Sequence, residues 1–445
     1  MRKKIAPGIY ARVLIIALCL LITSCGGSER KFTKHIEKGK EYYAASQYKE
    51  AAFQAFSKAV KLDPDHLDAQ TRIGELFLLS RDIDKAAAQA ELVTSKDKSH
   101  LDATILLANT KAAKRKFVEA KALLTELSEA HPESTKPRLA LSSIHLVSGD
   151  RDAAKEVLKK IIATDKSIEP RLALSTVYLM DNNVPAAEET LNSALNDNPG
   201  SVALLSSLTN LYIITKKTEM AAQTAEKLIT ASENRPEGYV ILATIQKSSG
   251  TPDKARETLK RGIESSKEPV QLQKMLAADY LETKQPAEAS AIIANILEKN
   301  AKDPEGLFLR GRLLLIERKP KEAIPDLKAY VDANPRSPFA QYFYGLANMM
   351  AGDPATARAA LSEAVTIAPK YDEASFMLAV SYLQTGEIKL ADTQAQKLLS
   401  RNPSFPGLSL LTGDIRFNQG KYAEAITYYD IYTKATPQDA KGFAK

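Results

Sequence analysis

The sequence has no tryptophan, five histidines and only two cysteines, Cys19 and Cys25, which both lie near the N-terminus. It contains neither of the catalytic motifs HExxH and GxSxG, no phosphate-binding P-loop and no pairing of cysteine with histidine. Its acidic residues are plentiful, but they are scattered over the chain without a spacing that indicates a catalytic pair. We therefore expect a protein that is not an enzyme.

The chain also carries little excess charge, because 61 Lys and Arg against 54 Asp and Glu leave a net charge of +7 at pH 7. Arg2, Lys3, Lys4 and Arg12 supply part of that excess at the N-terminus, in a segment (1–24) that contains no acid. The remainder is mild and dispersed, whereas a nucleic-acid-binding surface needs clustered basic residues. Apolar residues at 44% and charged residues at 26% exclude a disordered chain and an integral membrane protein. We expect no nucleic-acid partner.

The N-terminus carries an apolar run, Val13–Thr23, directly after these four basic residues. Spanning a bilayer takes about 20 apolar residues, so the run is too short for a membrane-spanning helix and is typical of a signal-peptide core. It ends in Ile22, Thr23, Ser24 and Cys25, followed by Gly26. This ending resembles the lipobox of bacterial lipoproteins, in which an aliphatic residue and two small residues precede the modified cysteine.

The lipobox resemblance implies that residues 1–24 are a signal peptide that is removed, and that Cys25 carries a covalent diacylglycerol and an N-acyl chain. Residues 25–32 then form the lipidated cysteine and a short tether. Several acyl chains on one residue anchor a protein firmly, whereas one chain binds marginally. The residue after the cysteine, Gly26, is similar to the one found at this position in Gram-negative lipoproteins of the outer membrane. We therefore expect an exported protein that is anchored in the outer membrane at its periplasmic face. The alternative is an ordinary secretory signal with an incidental cysteine.

A column of alanines sets the register of the remaining chain. They recur at one fixed spacing, except for one step that is a single residue shorter. The members of the column are Ala52, Ala86, Ala120, Ala154, Ala187, Ala221, Ala255, Ala289, Ala323, Ala357, Ala391 and Ala425. Twelve residues before all but the first lies a column of small residues, at Gly74, Ala108, Ser142, Ser175, Thr209, Ala243, Ala277, Gly311, Gly345, Ala379 and Gly413. In the first copy, Lys40 occupies that slot and Gly39 is one residue out of phase. Small residues on two helices allow their axes to cross closely, so the columns predict helical hairpins.

Two further features predict where these hairpins turn and end. Prolines follow seven of the alanines by twelve residues, at Pro64, Pro132, Pro199, Pro335, Pro369, Pro403 and Pro437. Proline cannot continue a helix, so it ends the second helix of a hairpin. Glycines mark the turn between the two helices, at Gly149, Gly250, Gly352, Gly386 and Gly420.

Two copies show the combined pattern most clearly, Leu378-Ala379…Tyr382…Ala391…Pro403 and Gly345…Ala357…Leu361…Pro369. They resemble the tetratricopeptide repeat, whose period of about 34 residues equals the alanine spacing, although the tryptophan of its consensus is absent here. The resemblance implies an all-α fold, an α-α superhelical solenoid of about twelve helix-turn-helix repeats over residues 33–437. We expect residues 438–445 to start an incomplete thirteenth repeat.

The histidines do not predict a metal site. His66 and His100 are one period apart, which places them about 10 Å from each other on neighbouring repeats. Metal–ligand bonds are about 2 Å long, so the two cannot share an ion. We expect no metal and no cofactor other than the acyl chains on Cys25.

In the tetratricopeptide family, first helices line a concave face, and repeat positions 2, 5, 9 and 12 point into it. In repeats nine to twelve these positions hold Phe308, Arg312, Phe339, Tyr342, Met349, Phe376 and Phe417. Aromatic side chains are common anchors in protein interfaces, so we predict a groove for an extended or helical peptide. Aromatic faces also stack on sugar rings, and the alternative for these residues is core packing between first helices.

These interpretations together predict a lipid-anchored, non-enzymatic scaffold for a periplasmic protein or peptide partner. The SCGG start, the immediate first repeat and the long uninterrupted array are similar to the long tetratricopeptide lipoproteins of exosortase (PEP-CTERM) and exopolysaccharide systems. That similarity implies a role in exopolysaccharide- or exosortase-linked export. Two alternatives stay open, a glycan-binding solenoid that holds polysaccharide during export and an assembly factor for an outer-membrane complex.

Overall fold

The computed structural model describes residues 29–44 and 52–438, and these residues form twenty-four α-helices and no β-strand. The all-α repeat fold expected from the sequence is therefore confirmed. The predicted signal peptide 1–24, its lipobox residues Ile22, Thr23 and Ser24, the lipidated Cys25 and nearly all of residues 438–445 lie outside the described residues.

The chain divides into two compact units, Met1–Leu211 (unit 1) and Tyr212–Lys445 (unit 2). The described helices of unit 1 are α1 (29–44), α2 (Phe53–Leu62), α3 (Leu67–Leu79), α4 (Ile83–Lys96), α5 (Leu101–Ala113), α6 (Phe117–Ala130), α7 (Lys136–Val147), α8 (Arg151–Ile162), α9 (Ile168–Met180) and α10 (Val184–Asp197). Helix α11 (Val202–Ile214) contains the boundary. Those of unit 2 are α12 (Thr218–Ala231), α13 (Pro236–Ser248), α14 (Pro252–Ser265), α15 (Val270–Glu282), α16 (Pro286–Lys299), α17 (Pro304–Ile316), α18 (Pro320–Ala333), α19 (Pro338–Ala351), α20 (Pro354–Ile367), α21 (Asp372–Gln384), α22 (Ile388–Arg401), α23 (Leu408–Asn418) and α24 (Tyr422–Ala435).

Each unit is a stack of helical hairpins, in which an odd-numbered first helix packs against the even-numbered second helix that follows. Helices α3 and α4 form such a pair in unit 1, and α19 and α20 form one in unit 2. In unit 2, each first helix from α13 to α21 also contacts the first helix of the next hairpin. These first helices therefore form one continuous layer, which we call the first-helix layer of unit 2.

The two small-residue columns meet where the helices of a hairpin cross. Every member of the alanine column is buried, with at most 4% of its surface exposed. A β-carbon added at Gly345 would lie 3.1 Å from the carbonyl oxygen of Ala357, so the two columns touch directly. In the irregular first copy, Gly39 is buried and a β-carbon there would lie 2.7 Å from the Phe56 ring, while Lys40 is exposed. The close approach is kept there by the glycine that is one residue out of phase.

Within residues 52–438, the turn between the two helices uses the left-handed conformation in eleven hairpins. The five glycines predicted for this turn have φ between 73° and 87°. The equivalent residues of six other hairpins are not glycine, yet they have φ between 56° and 62°: Arg81, Arg115, Asn182, Lys216, Lys284 and Arg318. Because residues with a β-carbon adopt this conformation at a cost of about 1–2 kcal/mol, the hairpin geometry overrides the local preference.

Eleven of the described second helices end at the same repeat position, with and without proline, and only α8 ends two residues earlier, at Ile162. Helix α20 ends at Ile367, two residues before Pro369, and the other six column prolines follow their helices at the same distance. Helices α4, α12, α14 and α16 end at that position although another residue replaces the proline. Proline therefore reinforces an end that the packing of the next hairpin already requires.

His66 and His100 cap first helices of unit 1. Nδ1 of His66 accepts a hydrogen bond from the backbone amide of Ala69, and Nδ1 of His100 accepts one from Ala103, both at 3.2 Å. Each bond satisfies one of the N–H groups that the start of a helix leaves unpaired. The spacing of one period between the two histidines thus reflects a repeated helix cap.

Candidate functional site

All seven residues of the predicted groove lie on first helices of unit 2. Phe308 and Arg312 belong to α17, Phe339, Tyr342 and Met349 to α19, Phe376 to α21, and Phe417 to α23. Because these helices contact one another in that order, the residues belong to one first-helix layer.

Phenylalanine rings from α17 and α19 pack against one another. The centroid of the Phe343 ring lies 4.8 Å from that of Phe339 and 5.6 Å from that of Phe308. Phe343 also contacts Tyr342 at 5.0 Å, and Tyr342 contacts Tyr371 at 5.2 Å. Tilted and edge-on pairs of this kind are the preferred arrangement of aromatic rings. We call the surface formed by Phe308, Arg312, Phe339, Tyr342, Phe343 and Tyr371 the aromatic face.

The rings of the aromatic face lie at different depths. Phe308 is 6% exposed and stacks on Tyr330 of α18 at 4.5 Å, within a hydrophobic core. Phe339 is 41% exposed. Phe308 therefore supports the face from beneath, whereas Phe339 presents ring surface to solvent. The core-packing alternative describes Phe308 and does not describe Phe339.

Tyr342 and Tyr371 extend the aromatic face toward α21. Burial raises the pKa of both hydroxyls above the ordinary value, and the charge of Glu373 acts in the same direction. Both phenols are therefore neutral at pH 7. A neutral phenol can donate or accept a hydrogen bond, so these two residues add polar capacity to an otherwise apolar part of the face.

The aromatic face contains one positive charge, the guanidinium of Arg312. Its central carbon lies 5.0, 5.5 and 5.8 Å from the ring centroids of Phe343, Phe339 and Phe308. All three distances lie within the reach of cation–π attraction, which is about 6 Å. Burial lowers the pKa of Arg312 below its ordinary value, and the charge of Glu282 opposes that effect. Arginine nevertheless stays protonated at neutral pH, so the charge is permanent.

Three residues of the predicted groove lie outside the aromatic face. Phe376 packs against Phe405 at 5.2 Å, and Phe417 packs against Tyr422 at 5.4 Å. Met349 is partly buried on α19. The structure therefore brings four of the seven residues together, and partner binding by all seven stays a prediction.

Phe343 and Tyr371 belong to the aromatic face but not to the predicted groove, because repeat positions 2, 5, 9 and 12 exclude them. Phe343 follows Tyr342 in the stretch PFAQYFYG, which holds four aromatic residues. That local density is a signal for Phe343. Tyr371 directly precedes α21, and nothing in the repeat spacing marks it.

Asp279 is a buried carboxylate that lines a cavity of about 410 Å³ in unit 2. Lys247 and Arg256 bind it at 3.2 and 2.9 Å, so its charge is balanced within the fold. Within residues 29–44 and 52–438, no group of three or more His, Cys, Asp or Glu is placed to hold a metal ion. No helix in the same described ranges is long and apolar enough to cross a membrane.

Family models and solved structures show what the chain is similar to. A tetratricopeptide repeat model matches residues 36–99, 274–338, 317–372 and 376–440, about half of the chain, and a second such model matches residues 111–171 and 348–398. The crystal structure of the APC/C hetero-tetramer Cut9–Hcn1 matches with 12% identity and a TM-score of 0.46, over 86% of this chain and 96% of that one. Two crystal structures of MamA match with 23% and 24% identity and a TM-score of 0.33, over 39% and 37% of this chain and 94% and 97% of theirs. No curated protein matches the chain.

Proposed function

The chain belongs to the tetratricopeptide repeat family, and we propose that it is a non-enzymatic scaffold that binds a protein or peptide on the aromatic face of unit 2. The observation that carries this proposal is the 41% exposed ring of Phe339, which lies 5.5 Å from the guanidinium of Arg312. Aromatic residues and arginine dominate the binding energy of protein interfaces. Stacked repeats also present extended surfaces on which a peptide can lie.

The proposal includes a lipid anchor at Cys25. Its support is the basic N-terminus, the short apolar core and the Ile22-Thr23-Ser24-Cys25 ending. Diacylglycerol and N-acyl chains on Cys25 hold the scaffold at the periplasmic face of the outer membrane. Replacing Cys25 by serine should yield a chain without acyl groups that leaves the membrane fraction. Lipid still attached to the Cys25→Ser chain would contradict the anchor.

The proposed role of the scaffold is to recruit a partner for exopolysaccharide- or exosortase-linked export. Its support is the similarity of the SCGG start and the long array to lipoproteins of those systems. Genes for glycosyltransferases and an exosortase beside the gene for this chain would favour that role. Genes for pilus or barrel assembly would favour an assembly factor for an outer-membrane complex instead.

A second candidate function is the binding of a glycan. The rings of Phe417 and Tyr422 are both exposed and contact each other, and exposed rings can stack on sugars. The aromatic face itself favours a peptide, because its polar groups are few and a sugar presents many hydroxyls that need hydrogen-bond partners.

Photocrosslinking in cells tests what the aromatic face binds. A photoreactive phenylalanine analogue at position 339 keeps an aromatic ring where Phe339 stands. We expect a covalent protein adduct from this position and none from position 118, where Val118 is 84% exposed in unit 1. An adduct with polysaccharide alone, or equal protein adducts from both positions, would contradict protein binding on this face.

A further inference from the structure

Arg312 differs from the other cations of the neighbouring first helices because it has no acceptor. Among residues 29–44 and 52–438, no carboxylate or other acceptor lies within bonding distance of its guanidinium. Arg310, on the same helix, donates to both carboxylate oxygens of Asp326 at 2.6 and 2.8 Å. Lys274 on α15 lies 2.8 Å from Asp303. Partly buried cations are normally paired, so the free donors of Arg312 call for an explanation.

The surroundings of Arg312 satisfy its charge only in part. Three phenylalanine rings attract the cation through their faces, but a guanidinium has five N–H donors that rings do not satisfy. Arg312 is partly buried, so its charge is partly shielded from water. A carboxylate that enters this site would accept two parallel hydrogen bonds in a setting where such bonds are strong.

The charges near Arg312 favour a ligand with a single negative group. Glu282 acts electrostatically on Arg312, and Glu373 acts on Tyr342 and Tyr371. Glu282 is itself paired with Lys247 at 2.7 Å, so Glu373 is the carboxylate that disfavours a ligand with several negative charges, such as a nucleic acid. A single carboxylate of the ligand matches the one positive charge of Arg312, and an apolar group beside it matches the rings of the aromatic face.

The backbone around Arg312 indicates whether that carboxylate belongs to a side chain or to the end of a chain. A peptide terminus is commonly held by free backbone N–H groups. Arg312 lies well inside α17, where the backbone N–H groups are already used, so a carboxylate bound to its guanidinium meets side-chain donors only. This arrangement favours the carboxylate of a side chain over the end of a chain.

We propose that Arg312 binds the carboxylate of an acidic side chain of the partner, while an adjacent aromatic residue of the same segment packs on Phe339 and Tyr342. The inference rests on the proposed function, because it assigns the chemistry of the segment that the scaffold binds. It identifies the partner segment as one that pairs a single acid with an aromatic residue.

Two synthetic peptide pools test the inference with the full chain immobilised. Each peptide of the first pool contains Phe followed by Glu among random residues, and the second pool has Gln in place of Glu. We expect the wild-type chain to retain the Glu pool about tenfold better, the effect of one charge-assisted hydrogen-bonded pair. Arg312→Gln should remove that preference, and Arg310→Gln, the matched control on the same helix, should keep it.

The possible results separate this inference from the proposed function. Equal retention of both pools by the wild type, or equal losses for the two arginine variants, would overturn the role of Arg312 and leave peptide binding intact. Retention of neither pool would overturn both proposals. Displacement of the Glu pool by a uronic-acid oligosaccharide at a lower concentration than by a Phe-Glu peptide would assign the site to sugar. The comparison of pools on the wild-type chain needs no variant, so a folding defect cannot obscure it.

Discussion

The guanidinium carbon of Arg312 lies 5.0 Å from the ring centroid of Phe343, and the two residues belong to first helices of successive hairpins. The contact joins α17 to α19 through a cation and a ring, without a carboxylate. Arg310, two residues earlier, instead pairs with Asp326 of its own hairpin. Helix α17 thus carries two arginines with different roles. Arg310 joins the two helices of its own hairpin through an ion pair, whereas Arg312 packs against the next hairpin and its N–H groups have no acceptor there.

Substitutions of Phe308 and Phe339 should show that the first residue stabilises the fold and that the second contributes mainly to the exposed surface. Phe308→Ala removes a buried ring and should lower the free energy of unfolding by about 3–5 kcal/mol. Phe339→Ala should cost about 1 kcal/mol, the contribution of its ring contacts. Hydrogen exchange of the amides of α17 and α19 measures both losses locally. Equal losses would show that Phe339 is as much a core residue as Phe308.

The crossing at Gly311 should not tolerate alanine. Its β-carbon would lie 2.6 Å from Cγ of Leu327, which is fully buried. We expect Gly311→Ala to destabilise unit 2 by about 1–3 kcal/mol, more than the gain of about 1 kcal/mol from replacing glycine within a helix.

A double variant tests whether that loss arises from Leu327. Leu327→Ala alone should cost about 2–5 kcal/mol because it leaves a cavity. Adding Gly311→Ala should then cost little, because its methyl group occupies part of the vacated space. A double-mutant cycle from urea unfolding measures the coupling, and additive losses would contradict the proposed contact.

The left-handed turn predicts opposite effects at two equivalent positions. Lys284 has φ of 58°, so Lys284→Gly should relieve strain and stabilise its hairpin by up to about 1 kcal/mol. Gly352 has φ of 84° and open space around it, so Gly352→Ala should destabilise by about 1 kcal/mol through the backbone alone. Hydrogen exchange at the adjoining helix ends reports each change. Effects of the same sign would refute the turn assignment.

Asp181 should make unit 1 sensitive to acid. Hydrogen bonds from Lys155 and then Arg151 hold the pKa of Asp181 below its ordinary value. A depressed carboxyl pKa adds stability above the unfolded-state value of about 3.9, and that stability is lost as the pH falls through the folded-state value. Asp181→Asn should therefore be less stable than the wild type at pH 7, and the difference should shrink below about pH 4. Urea midpoints across this range provide the measurement, and a constant difference would exclude the linkage.

The periodic features of the fold were predictable because each depends on a residue type at a fixed spacing. Close crossing requires small residues, and the alanine column is buried as its spacing predicts. The turn was predictable only where glycine marks it. Arg81 and Lys284 adopt the same φ without that signal, because the packing of two helices outweighs the strain of one residue.

The sequence predicted which helices carry the residues of the candidate site, but it did not predict how deeply each residue is buried. Repeat position predicted that both Phe308 and Phe339 point into the concave face. In the structure Phe308 is buried, whereas Phe339 is exposed. Tyr371 completes the aromatic face from the residue before α21, where no repeat column predicts a binding residue. Ring contacts of this kind join residues of different hairpins, and their geometry is not encoded in any one repeat.

The sequence by itself determined the all-α class, the register of the hairpins and the helices that carry the aromatic residues. These features follow from backbone preference and from side-chain size at one fixed repeat period. Only the tertiary structure decided that Phe308 lies beneath Phe339, and that Arg312 has rings rather than a carboxylate beside it. The physical reason is that burial and charge pairing depend on which side chains of separate helices meet, and repeat spacing does not specify the depth or direction of those side chains.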